Sequence, residues 1–182
     1  MDRNKKESLT IYYCGREQCQ PGHFWGPAVR PHYLLHVVLK GKGLFRYRNH
    51  TWHLGSGDAF LIHPMETHYY QADQQEPWEY AWVGFDGQAV EGLLEQTALK
   101  DSPVYQQNNS LGGSRETAAS RDIGDSHTFG SSPSSCQQPR SGRSGCSQAI
   151  LKLNEAFLGP DRNPLELTAC LLLLFARMPR LA

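Results

Sequence analysis

The side chains with most chemical potential in this sequence are rings set on a two-residue period. Between Pro77 and Phe85, Trp78, Tyr80 and Trp82 alternate with Glu79, Ala81 and Val83. Successive side chains of an extended chain point to opposite faces, so the three rings share one face while Ala81, Val83 and Phe85 share the other. A flat apolar ring beside a phenolic hydroxyl suits a guest that is apolar on its face and polar at its rim, as a sugar ring is. The same alternation also fits rings that simply fill a small barrel. Periodicity does not separate the two.

His36, His63 and His68 offer imidazoles that either ligate a metal or make a hydrogen bond. Leu34, His36 and Val38 share a strand face, but nothing in the spacing sets His63 and His68 opposite it. Hydrogen-bonded structural histidines are therefore expected, with His36 and His68 kept as candidates to touch a ligand. Cys14 and Cys19 are two possible zinc ligands, yet no matching second pair follows, so neither metal nor cofactor is expected. No nucleophile stands beside a base in a recognisable pattern, and no phosphate-cradling glycine loop precedes a helix. Catalysis is not expected.

Short strands must position these residues. Leu9 to Cys14, Tyr33 to Lys40, Leu44 to Arg48, His50 to Leu54, Ala59 to His63, Glu66 to Gln71 and Trp78 to Phe85 read as strands. Gly41-Lys42-Gly43 and Gly55-Ser56-Gly57-Asp58 read as hairpin turns, with glycine supplying positive φ, Asp58 bonding its own turn, and Pro64 closing a strand. Pro21-Gly22 and Gly26-Pro27 read as loop punctuation. Strands at this spacing imply a sandwich or barrel. Asp86 is placed to cap a helix opening with Gly87, Gln88 and Ala89 and carrying Val90, Leu93, Leu94 and Thr97 on one stripe.

From about Ser110 to Ser147 roughly half of the residues are Ser, Gly or Pro, a composition that buries too little surface to offset its ordering entropy. Helical spacing returns at Gln148 to Leu158. Asn163 then caps a second helix, with Pro164 at its first position, through Leu165 to Met178. Leu171 to Phe175 is apolar almost all round, which implies burial against the barrel or a partner subunit.

The 182-residue chain has 18 basic and 18 acidic side chains and a pI of about 7.1. A module gripping nucleic acid through its phosphates needs a basic excess, which is missing, so direct DNA binding is not expected. Five cysteines at irregular spacings and no signal-peptide pattern in MDRNKKESLT point to reduced thiols in the cytoplasm. The apolar run Leu165 to Phe175 is broken by Glu166 and Thr168 and is too short to span a bilayer, so no membrane partner is expected.

Three stretches, Cys14 to Phe45, Gly55 to Asp73 and Pro77 to Gly87, resemble the ligand-binding domains of the arabinose-operon regulator (AraC) family. The pattern GDxxLxxPxxxH, here Gly57 to His68, carries most of that likeness. The resemblance implies a mainly β fold: a cupin-like barrel (double-stranded β-helix, or jelly roll) followed by a C-terminal antiparallel helical pair. It divides the chain into a barrel with a trailing helix at 7–100, an insertion without a recognisable counterpart at 101–147, and a dimerisation segment at 148–180. It implies a small-molecule effector, often a sugar, held by Tyr80 and Trp82, with Tyr70, Arg30, His36 and His68 nearby. It also implies a homodimer, an N-terminal arm (Thr10 to Tyr13) that moves on binding, and DNA contact only through a helix-turn-helix half that would follow Ala182. The alternative is a metal-dependent cupin enzyme, an isomerase or dioxygenase. Its first metal motif needs two histidines separated by one residue, and Val37-Val38 follow His36 instead.

Overall fold

Residues 8–107 and 145–180 are described by the computed structural model. In chain order the strands are β1 (Thr10–Gln18), β2 (Phe24–Ala28), β3 (Tyr33–Lys40), β4 (Lys42–Tyr47), β5 (His50–Gly55), β6 (Ala59–Ile62), β7 (His68–Ala72), β8 (Glu79–Asp86) and β9 (Val104–Tyr105). They form two antiparallel sheets, one in the order β1-β8-β3-β6-β9 and the other β2-β7-β4-β5. The eight-strand order 1-8-3-6 facing 2-7-4-5 is that of a double-sheet jelly roll, the double-stranded β-helix. Helices α1 (Val90–Leu94), α2 (Gly145–Leu158) and α3 (Pro164–Phe175) complete the described chain, with a 3-10 turn at Ala98–Lys100.

Two apolar layers lie on either side of the first sheet. The even-numbered side chains of β3 and β8, among them Leu34, Val38 and Tyr80, join Trp78 (the residue before β8), Phe45, Phe60 and Tyr70 inside the barrel. The odd-numbered ones, Leu35, Val37, Ala81, Val83 and Phe85, pack outside it against Ile150, Leu153, Leu171, Leu174 and Phe175 of the helices. Both faces of β3 are thus buried, which is why YLLHVVLK reads as a nearly continuous apolar run. Each such aliphatic side chain contributes about 1.5–3 kcal/mol of burial free energy.

The strands expected from the sequence are present, but several connections differ. Gly41 does not turn a hairpin: β3 pairs with β6 and β8, whereas β4 pairs with β5 and β7. At φ +68°, with the position of a Cβ falling 2.4 Å from the Pro77 carbonyl oxygen, Gly41 carries the chain from one sheet to the other. Gly55 to Asp58 is likewise a sheet-to-sheet corner, held by the Gly55 N–H donating to Asp58 Oδ2 at 2.9 Å. The hairpin in this region is β4–β5, with Tyr47 opposite His50.

Gly26-Pro27, expected in a loop, lies inside β2. This strand forms the edge of its sheet, where a residue without an N–H is tolerated, and its register with β7 shifts between Trp25 and Ala28. Thr10 to Tyr13, expected as an arm that moves on binding, forms the start of β1, in register with β8 from Thr10 opposite Asp86. Asp86 does not start a helix at Gly87, whose φ of +150° is non-helical; α1 begins at Val90 and lasts a single turn.

Pairing also passes residue 100, because β9 bonds to β6 through Val104 opposite Phe60. Helix α2 begins at Gly145, ahead of the expected Gln148. The rest of the Ser/Gly/Pro-rich stretch, 108–144, lies outside the described residues. Asn163 caps α3 as expected, its Oδ1 accepting from the N–H groups of Leu165 (2.9 Å) and Glu166 (3.4 Å). That helix ends at Phe175 and is buried on one side only: Leu171, Leu174 and Phe175 are covered while Leu172 and Leu173 are exposed. Among the described residues no helix is long and apolar enough to cross a membrane.

Candidate functional site

The barrel interior is packed at one end and open at the other. Trp78 is fully buried, stacked near Phe60 with ring centroids 5.9 Å apart, so this ring fills the barrel. Towards the other end Tyr80, Trp82, Tyr70, Arg30 and His36 line a cavity of about 300 Å³, completed by Tyr13, Glu17, Trp25 and Leu34. The structure therefore gathers all the sequence-derived candidates except His68. That residue is buried on the same face of β7 as Tyr70, stacked behind its ring with centroids 6.2 Å apart.

Five strands, β1, β2, β3, β7 and β8, hold the pocket side chains, with Arg30 in the connection between β2 and β3. Trp82 and His36 are paired across β8 and β3, and Tyr80 faces Val38 one step along the same ladder. On the other side of β8, Gly15 and Glu17 of β1 pair with Trp82 and Tyr80. A Cβ on Gly15 would fall 2.5 Å from Cζ2 of Trp82, and one on Gly84 would fall 2.4 Å from Cζ of Tyr13. Two glycines inside strands thus give each ring a seat against bare backbone, a close approach only glycine allows.

The polar lining carries both signs of charge. The Tyr80 hydroxyl donates to Glu17 Oε2 at 3.1 Å. Arg30 lies with its guanidinium carbon 4.7 Å from the ring centre of Trp25. Burial raises the Tyr80 phenol far above its ordinary range and pushes Tyr70 up to about 12, so both stay protonated. His36 packs flat on Phe60 with centroids 4.5 Å apart, edge-on to Tyr80 at 5.1 Å. Burial, together with the charges of His68 and Arg30, holds its pKa well below the ordinary imidazole value, and burial lowers His68 as well.

Two side chains that line the cavity carry buried polar atoms with no hydrogen-bond partner among the described residues, Arg30 Nε and His36 Nδ1. Buried polar atoms of this kind are costly to leave unpaired.

The histidines do not assemble a cupin-type metal centre. His63 sits at a barrel end beside the Tyr33 and Tyr47 rings. Among the described residues, neither it nor His36 nor His68 belongs to a group of three ligands close enough to share an ion. Cys14 packs on the helical side of the first sheet while Cys19 is buried on the barrel side, so these two thiols do not form a pair.

Sequence reasoning missed Tyr13, Glu17, Trp25 and Leu34. A signal was present for two of them. Tyr13, Gly15 and Glu17 alternate along one face of β1, and a glycine between two larger residues marks a close approach.

A jelly roll with an aromatic, mixed-charge cavity at one end and helices covering one sheet defines a small-molecule binding barrel. The chain belongs to the AraC-like ligand binding domain family, which matches residues 10–140. It is similar to the Msm operon regulatory protein of Streptococcus mutans, 41% identical over 91 residues that cover 50% of this chain and 33% of that protein. The raffinose operon transcriptional regulatory protein RafR of Pediococcus pentosaceus is 35% identical over 99 residues, covering 53% and 36%. The lactose operon transcription activator of Staphylococcus xylosus is 34% identical over 102 residues, covering 56% and 37%. The chain thus spans about a third of the length of these curated relatives.

Proposed function

We propose that this domain is the sensing part of a regulator of transcription and that its cavity binds a neutral polyhydroxylated effector, a sugar, stacked on Trp82. One observation carries the reading. An indole face stands beside two protonated phenols, a neutral imidazole, and one side chain of each charge, Glu17 and Arg30, around a single cavity. Phosphate or carboxylate guests favour a lining of cations alone, whereas hydroxyl groups both donate and accept and so satisfy a carboxylate and a guanidinium together. The operon names of the relatives support a carbohydrate.

The relatives' names as regulators also support binding, not catalysis, as the role of this barrel. DNA contact belongs to a segment of the regulator other than this one, and the protein acts in the cytoplasm. The outward stripe of α3, with Leu165, Leu172 and Leu173 exposed at helical spacing, supports pairing of two chains through that helix.

A panel of mono-, di- and trisaccharides is scanned for thermal stabilisation of the parent and of Trp82→Ala. At least one sugar is expected to raise the melting temperature of the parent, with the shift lost in the variant. An undiminished shift in Trp82→Ala removes the stacking platform, and a panel with no stabilising sugar removes the ligand class.

A further inference from the structure

At the end of β1 the chain makes a corner that gathers three different metal-binding side chains, and the effector reading uses only one of them. We propose that Glu17, Cys19 and His23 form a binding site for a borderline-soft divalent cation of the zinc type on the rim of the pocket.

Their ligand atoms all lie within 4.8 Å of one another. The spacing Glu-x-Cys-x-x-x-His places the first ligand on the last residues of β1, the second just beyond it, and the third before β2. The backbone holds this corner in place. The Cys19 N–H donates to the Trp78 carbonyl (3.1 Å), the His23 N–H to Gln20 (3.0 Å), and the Ala72 N–H to the His23 carbonyl (2.8 Å). Gly22 takes φ +68° at the turn and its carbonyl accepts from Gln71 Nε2 at 3.2 Å.

The Glu17 carboxylate is already divided between two tasks. Oε2 accepts from the Tyr80 hydroxyl at 3.1 Å, which leaves Oε1 turned to His23 Nε2 at 3.6 Å. That gap is too long for a good hydrogen bond. Two atoms bonded to one tetrahedral zinc at about 2.0–2.1 Å stand roughly 3.3 Å apart, so a small closure of the corner suffices. Sulfur, imidazole nitrogen and carboxylate oxygen together select zinc or cobalt over magnesium or calcium, which take oxygen alone. Tyr80 is then the outer-shell partner that orients the carboxylate. Three protein ligands leave a fourth position for water.

The test uses the full chain, freed of metal by a chelator and kept reduced by a phosphine, titrated with Co²⁺ alone and then with Zn²⁺ alone. One equivalent of Co²⁺ is expected to give a thiolate-to-cobalt charge-transfer band that one equivalent of Zn²⁺ abolishes. Cys19→Ser should lose the band and Cys14→Ser should keep it. Because Cys19 is buried, the second arm is His23→Gln at a more exposed position. It should retain the parent circular dichroism and weaken Zn²⁺ binding about a hundredfold, the share of one ligand among four. Absence of a band, a band that survives in Cys19→Ser, or unchanged Zn²⁺ affinity in His23→Gln overturns the site. The sugar panel, run in metal-free buffer, reads the effector pocket separately.

Discussion

Replacing His36 with leucine should flatten the acid limb of the stability curve. In the folded barrel His36 is buried among Phe60, Tyr70, Tyr80 and Trp82, with His68 and Arg30 the charged neighbours that add to burial in keeping it neutral. Unfolded, it titrates near the ordinary value of about 6.5. Its folded pKa is the lower of the two, so the unfolded chain binds more protons once the pH drops below about 6.5. The stability is therefore complete above that pH and is lost on acidification, by up to about 1.4 kcal/mol per pH unit for this one group. Between pH 7.5 and 5.5 the loss reaches at most about 1.4 kcal/mol, or roughly 0.7 M in urea midpoint for a slope of about 2 kcal/mol/M.

Leucine carries no proton, has a similar volume, and gives up no hydrogen bond at Nδ1, which has none among the described residues. Any repacking cost is common to both pH values and cancels in the comparison, as do the contributions of His68 and the carboxylates. Urea unfolding of parent and His36→Leu at the two pH values measures the difference directly. Curves that weaken in parallel would refute a neutral, proton-excluding environment at this position.

Two further perturbations test the helical layer. The Asn154 side chain donates from Nδ2 to the Gly15 carbonyl at 2.7 Å, and Asn154→Ala should cost about 1–2 kcal/mol, seen as a melting temperature lower by several degrees in calorimetry. An unchanged transition would show that α2 does not depend on this bond. Leu172→Glu combined with Leu173→Glu should convert a two-chain species to one chain in sedimentation, with far-ultraviolet circular dichroism unaltered; a parent that already sediments as one chain rules out pairing through α3.

The sequence made the strands legible because burial here obeys strand parity. Tyr80 and Trp82 of β8, with Trp78 just ahead of it, do share the barrel side, and Ala81, Val83 and Phe85 do share the other. Which ring fills space and which borders the cavity was not legible, since that depends on how far each lies from the packed end near Phe60. The connections were misread at Gly41 and Gly55 for a related reason. A glycine turn between two strands is locally the same whether the chain folds back in one sheet or crosses to the opposite one. Only the choice of partners, β6 and β8 for β3 and β5 and β7 for β4, separates the cases.

The approach of Glu17 and His23 to Cys19 was hidden likewise, because it is created by a corner pinned to β7 and not by any local period. Gly26-Pro27 was read as loop because proline usually ends pairing, and an edge strand removes that rule. At α1 the positive φ of Gly87 delays a helix that Asp86 was expected to start.

Gly15 stands where cavity and helical layer are closest, with an indole lying on its α-carbon and the amide of Asn154 fastened to its oxygen. One peptide unit is therefore the whole thickness of wall between the cavity and α2. The chamber has no slack on that side: widening it there by moving the indole or the strand tugs on the helix. The Trp25 side of the cavity is backed differently, by the edge strand β2.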